Sequence, residues 1–286
     1  ICYYNILKMS NIFKAIDEND IESICKILKS NPEATIDKGD KRGYFPLHYV
    51  AQYNSNTEVV KLIIEAYPEA AYKMDYTGWF PLHHAAKYNS NIDVVKLILD
   101  AHPQAISEKD KYSDDFPLHY AARYNSNVEV VKLILEAYPQ AVFEKDDFDM
   151  FPLHNAASNS NMKVIELILE AYPQAASEED DGGRVPFHYA AEYNSNVDVV
   201  KFILEAYPQV ISEKNKYSGE FPLHNAAENN ENLEVVKLII KAYPQAIVKK
   251  DSHGDFPLHY AARQNKNLEI VKILYYMNPE VAEVAY

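Results

Sequence analysis

Residues 116–141 read FPLHYAARYNSNVEVVKLILEAYPQA, and near copies of this stretch fill most of the 286-residue chain. The proline of each P-L-H or P-F-H triplet falls at 46, 81, 117, 152, 186, 222 and 257, at spacings of 35, 36, 35, 34, 36 and 35. A fixed period in this range marks a repeat array, in which each unit packs on its neighbours and need not close a core alone.

The quoted copy divides into two helices. Pro117 suits a first helical turn, where its missing N–H costs nothing, and the helix runs on through Ala121 and Ala122, small enough to let another backbone approach. Asn125 is expected to end it in the left-handed conformation. Ser126 and Glu129 form an S-x-x-E capping box for the second helix. The pattern recurs as Ser55/Glu58, Ser90/Asp93 and Ser195/Asp198. VEVVKLILEAY is apolar almost all round, with Glu129, Lys132 and Glu136 making one narrow wet stripe, so it needs neighbours on several sides. Tyr138-Pro139 stops it, because the residue before proline avoids the α region. The longer periods gain a residue at KYSDDF (111–116) and KYSGEF (216–221), and the shorter one loses a residue at AASNSNM (156–162). Length changes are therefore expected in loops, with helix lengths kept.

These residues resemble the ankyrin repeat. Asp40 to His48 (DKRGYFPLH) and Asp251 to His259 (DSHGDFPLH) follow its D-x-x-G-x-T-P-L-H line. Residues 11–34, NIFKAIDENDIESICKILKSNPEA, look like an N-terminal capping repeat. The resemblance implies an all-α dominated solenoid of stacked helix–turn–helix repeats with short β-hairpin-like loops. Residues 1–10 would be an N-terminal tail that is not the native start, and 11–286 one solenoid with repeats near 11–39, 40–74, 75–109, 110–145, 146–179, 180–214, 215–250 and 251–286. Phenylalanine or Val185 replaces the threonine before proline, asparagine replaces the glycine between helices, and Tyr-Pro replaces the Gly-Ala after the second.

The periodic histidines His48, His83, His119, His154, His188, His224 and His259 invite a metal reading. Helices stack about 8–10 Å apart, whereas zinc holds nitrogen at about 2.0–2.1 Å, so no two rungs can share an ion. A structural role, hydrogen-bonding adjacent hairpins, is the better reading, and His84 is read as a variable position. The acidic runs around Asp114, Asp146 and Glu178 lack calcium-loop spacing and read as solvated loops. No phosphate-loop, dinucleotide, zincin or nucleophile-elbow motif occurs, so neither catalysis nor a cofactor is expected.

The resemblance implies partner binding by hairpin tips and first-helix ends on a concave face. Mapped here, that gives Arg42, Tyr44, Tyr76, Trp79, Tyr112, Asp115, Phe148, Met150, Arg184, Tyr217 and Glu220 at the tips, with Arg123 and Tyr124 on a first helix. Tyr53, Tyr88, Tyr124 and Tyr193 recur strictly enough to serve packing equally well. A net charge of −14 argues against nucleic acid and anionic membrane, and no apolar run is long enough to span a bilayer. Two cysteines without a CxxC pair point to a reducing compartment, cytoplasmic rather than nuclear, with secretion as an effector left open. The expectation is a monomeric protein–protein interaction scaffold. The alternative is the targeting region of a larger enzyme or effector, encouraged by Tyr276 standing where the wet stripe carries glutamate.

Overall fold

The computed structural model describes residues 11–36, 38–39 and 42–284. The proposed tail, and Asp40 and Lys41 of the D-x-x-G line, lie outside them. Two compact units meet at Ala141/Val142. The first holds α1 (Asn11–Asp17), α2 (Ile21–Ser30), α3 (Pro46–Tyr53), α4 (Thr57–Ala66), α5 (Pro81–Tyr88), α6 (Ile92–Ala101), α7 (Pro117–Tyr124) and α8 (Val128–Ala137). The second holds α9 (Pro152–Ala156), α10 (Met162–Ala171), α11 (Pro186–Tyr193), α12 (Val197–Ala206), α13 (Pro222–Asn229), α14 (Leu233–Ala242), α15 (Pro257–Gln264) and α16 (Leu268–Met277).

In each unit the odd-numbered helices pack on one another as one layer, and the even-numbered helices form a second. Leu47, Leu82 and Leu118 fill the first layer of unit 1, and Leu153, Phe187 and Leu223 that of unit 2. Paired valines and an isoleucine fill the second layer: Val94, Val95 and Ile98 in α6, Val199, Val200 and Ile203 in α12. The exposed stripe is wider than the pattern suggested, for Leu133 is only half-buried. After each Tyr-Pro or His-Pro the chain makes a 3₁₀ turn, such as Pro103–Ser107 and Pro208–Ser212. It seats Ala105 and Val210 in the interior.

Three local expectations are corrected. Asn125 is not left-handed: its φ is −82° and ψ 123°. Its buried amide donates to the Ala86 and Asn89 carbonyls of the preceding repeat, at 2.9 and 3.0 Å. Nor does serine cap the second helices. The following asparagine does: Asn56, Asn91, Asn127 and Asn196 accept from the backbone N–H of Glu58, Asp93, Glu129 and Asp198 at 3.0–3.1 Å. The N-S-N triplet thus carries two roles, since Asn91 and Asn127 also donate to the Ser55 and Ser90 carbonyls one repeat back. In unit 2, Asn194, Asn230 and Asn265 repeat the buried rung with donations at 2.8–3.0 Å. Finally, the short period shortens a helix: α9 has 5 residues where the other P-L-H helices have 8.

The loops contain no β-strand among the described residues. The tips are tight turns closed by backbone bonds, among them Asp75 N–H to Trp79 O at 3.0 Å and Asp180 N–H to Arg184 O at 2.9 Å. Neighbouring tips are joined by another, Tyr76 N–H to Arg42 O in unit 1 and Lys216 N–H to Gly182 O in unit 2. Gly78, at φ +80°, is required here, because a Cβ would lie 2.3 Å from the Lys111 side chain.

Candidate partner-binding site

The P-L-H histidine organises each first helix. Lacking threonine, the helix is closed by the ring: His48 and His83 Nδ1 accept the N–H of Phe45 and Phe80 at 3.2 Å. Nε2 of His48 and His154 reaches the next repeat, at Trp79 O (3.1 Å) and Arg184 O (3.1 Å), and that of His83 reaches Glu108 O (3.2 Å) in the segment leading to it. His188 departs from this, its Nε2 having no hydrogen-bond partner. Burial pushes His48 down to about 3 and His83, His154 and His188 to about 4, so these rings are neutral at pH 7. Among the described residues no group of histidine, cysteine or acidic side chains is placed to hold a metal ion.

The tips are held by an acid at their base. Asp75 Oδ1 accepts from Thr77 and Trp79 N–H at 2.7 and 3.1 Å, and Oδ2 from His84 Nε2 at 2.9 Å. Burial opposes its ionisation, but these donors outweigh burial and bring the carboxyl down to about 2. His84, read from the sequence as a variable position, is therefore a buried clamp. Tyr120 does the same for Asp110 (2.6 Å), Tyr189 for Asp180 (2.6 Å) and Tyr260 for Asp251 (2.7 Å). Where the helix offers Asn155 the clamp is missing. Asp146 there is raised, by burial first, and the Asn155 amide nitrogen has no partner.

These clamps sort the expected contact residues. Tyr44 is only 7% exposed, its ring 4.7 Å from His84 under the Arg42 guanidinium. Met150 is likewise buried, with the Tyr189 hydroxyl on its sulfur at 3.6 Å. Both lie in the interior and support the tip instead of offering a contact. Trp79 is half-buried, its ring 4.3 Å from Tyr120 and 4.9 Å from His84. Arg184 lies over Tyr189 and pairs with Asp180, and Asp115 accepts from Ser113 Oγ at 2.8 Å. Glu220 is half-buried. Tyr76, Tyr112, Phe148 and Tyr217 stand exposed at tips, Tyr217 at 77%, and Arg123 and Tyr124 are exposed on α7.

Unit 1 also holds a feature absent from the sequence reading. The Lys87 ammonium lies 4.3–5.4 Å from the ring centres of Trp79, Tyr88, Tyr120 and Tyr124. It forms no ion pair among the described residues. The same helix position carries Arg123 in α7, but Glu192 and Glu228 in α11 and α13. Recurrence of one position across repeats was the signal that could have exposed this column.

No described helix is long and apolar enough to cross a membrane. A search of curated proteins returns no match. The family model for ankyrin repeats matches three times, over residues 12–110, 118–215 and 187–283. Such repeats are generally protein–protein interaction modules. With paired helices in two layers and the P-L-H histidine bonding one repeat to the next, the chain belongs to the ankyrin-repeat family.

Proposed function

We propose that this chain is a protein-interaction scaffold that holds partners on its hairpin tips and first-helix ends. The observation carrying this is the exposure of Tyr76, Tyr112, Phe148 and Tyr217 on tight turns, those of Tyr76, Phe148 and Tyr217 being tied to a neighbouring tip by backbone bonds. Large rings in solvent gain nothing for the fold, and tyrosine and arginine are types enriched where binding energy concentrates. The tip backbone is already ordered, so a partner meets little ordering cost. In unit 1 the surface pairs rings with cations: Lys38 lies 4.2 Å from the Tyr76 ring centre, Arg123 5.2 Å from that of Tyr124, and Lys87 in its cage.

Lysine crosslinking with mass spectrometry on partner complexes tests the face. Crosslinks are expected at Lys38, Lys87 and Lys111, and few at Lys61, Lys96 and Lys132 on the second helices. The reverse distribution would place binding on the other layer and end this reading.

A further inference from the structure

Two cations in unit 1 share one ring. Tyr124 on α7 has the Lys87 ammonium 4.3 Å and the Arg123 guanidinium 5.2 Å from its centre, so the charges are no farther apart than those distances combined. Neither forms an ion pair among the described residues. Rings lend an ammonium their π faces but no strong acceptor, so the N–H donors of Lys87 meet no hydrogen-bond acceptor among the described residues. A third charge adds to the same field: burial foremost, and with it Arg42 and Lys87, push the His84 ring below its ordinary value.

The acids of the adjoining tips are engaged within the fold. Asp75 is held by Thr77, Trp79 and His84, and Asp110 by Tyr112, Ser113 and Tyr120. Asp114 pairs with Lys109, and Asp115 accepts from Ser113. Repeat geometry does not forbid a local pair, for in unit 2 Arg263, at the α15 position matching Arg123, pairs with Asp255 of its own tip. Arg123 lies over Tyr124 instead. A chain of net charge −14 thus leaves two adjoining cations without an anion.

We propose that Lys87, Arg123 and the exposed rings of Tyr88 and Tyr124 form a docking site for an acidic segment of a partner protein, two of its carboxylates engaging the two cations. This rests on the scaffold reading above and gives the unit 1 face a partner chemistry. In an extended segment, carboxylates two or three residues apart are separated by about 7–10 Å, a span the shared ring allows. Arg123 offers a fork that takes a carboxylate through two parallel bonds, and half-buried Lys87 a point charge already stripped of part of its water. The chain's overall negative charge repels such a segment at long range. At about 0.15 M salt the Debye length is only about 8 Å, so the adjoining cations decide.

The test titrates the full chain, at that salt, into a dye-labelled peptide of repeated Glu-Gly-Gly, read by anisotropy, with a Gln-Gly-Gly peptide as comparison. The glutamate peptide should bind at least about tenfold more tightly. K87Q/R123Q should weaken it by about tenfold or more, whereas K61Q/K96Q, which removes the same charge from the second helices, should leave it unchanged. Because K87Q/R123Q also loses ring contacts, its melting temperature is followed, and K87R, which keeps the charge, should bind as the native chain does. Equal affinity for the two peptides, equal weakening by the two double variants, or loss of binding in K87R overturns the proposal. A single-stranded oligonucleotide of equal charge competing better than the peptide would assign the cations to a nucleic-acid backbone and overturn it too. If the glutamate peptide fails while crosslinks still map to the tips and first helices, the scaffold stands and only this site is lost.

Discussion

The same position on the first helix carries Lys87 and Arg123 in unit 1 and Glu192 and Glu228 in unit 2. Around it, unit 1 supplies rings and unit 2 supplies amides. Lys87 rests on four aromatic faces, whereas Glu192 and Glu228 share the Asn229 amide. Beneath these faces both units use the same parts: a neutral histidine tied to the next tip, a buried asparagine tied to the previous turn, and leucine, valine and isoleucine between. The difference teaches that buried polar bonds keep the repeat geometry while charge at this one helix position is free to reverse. The sign reverses again within unit 2, where the same position of α15 carries Arg263.

Acid should test the shared parts hardest. An ordinary imidazole takes its proton near pH 6.5, but His48 does so near 3 and His83, His154 and His188 near 4. Below 6.5 the unfolded chain binds protons that the folded chain refuses, so stability present at neutral pH is lost as pH falls towards 4. Glu192 and Glu228, raised by burial first, act in the opposite sense, but they are fewer and less buried. Each unit of pKa depression is worth about 1.4 kcal/mol, so the total reaches several kcal/mol. Thermal scans from pH 7 to 4.5 should show a steep fall in melting temperature. A flat profile would mean the rings are not held neutral, and the shared framework would need another basis.

Next in size are the asparagine rungs. Asn89→Ala removes donors to the Ala51 and Asn54 carbonyls and an acceptor for Asn91 N–H. Asn230→Ala removes the matching set to Ala191, Asn194 and Asn232. Each leaves buried carbonyls unpaired, and a cost of about 2–4 kcal/mol follows. Urea denaturation should give similar losses for both. A large loss in one unit alone would show that the units do not share this device.

Trp79→Ala is expected to cost about 1–2 kcal/mol, since a half-buried ring loses contacts with Tyr120, His84 and the Lys87 ammonium. The helices should survive, because the Trp79 backbone still closes the turn with Asp75 and accepts from His48. Partner affinity falls with it if the unit 1 face binds through its rings. A variant with unchanged melting temperature and lowered affinity would instead make Trp79 a pure contact residue, as its sequence position alone suggested.

The period, the helix pairs and the apolar layers were legible because they are local patterns repeated many times. What was misread depends on partners about one repeat away. Asn125 looked like a left-handed cap because the Ala86 and Asn89 carbonyls that hold it extended are remote in sequence. Tyr44 stands two residues before its P-L-H proline, where Trp79, Asp115 and Met150 also stand, and it is buried because His84 of the following repeat covers it. His84 looked interchangeable beside His83 until Asp75 was seen to need its Nε2–H. Residues at the candidate site sort the same way, since burial at a tip is decided by the neighbouring repeat.

The smallest effects separate the two faces most cleanly. Lys87→Ala removes a charge from above four rings, and about 1 kcal/mol is the expected loss for a partly exposed cation of this kind. Glu228→Gln removes a charge held beside Glu192 and Glu220 while keeping acceptors for Asn229 and Gln264, so its melting temperature should hold or rise. Opposite signs from equivalent positions mean that the lysine charge supports its fold while the glutamate charge is opposed by Glu220 and Glu192. Should both variants lose stability, the Glu228 charge is serving the scaffold as the Lys87 charge does, and the two positions do not differ in kind.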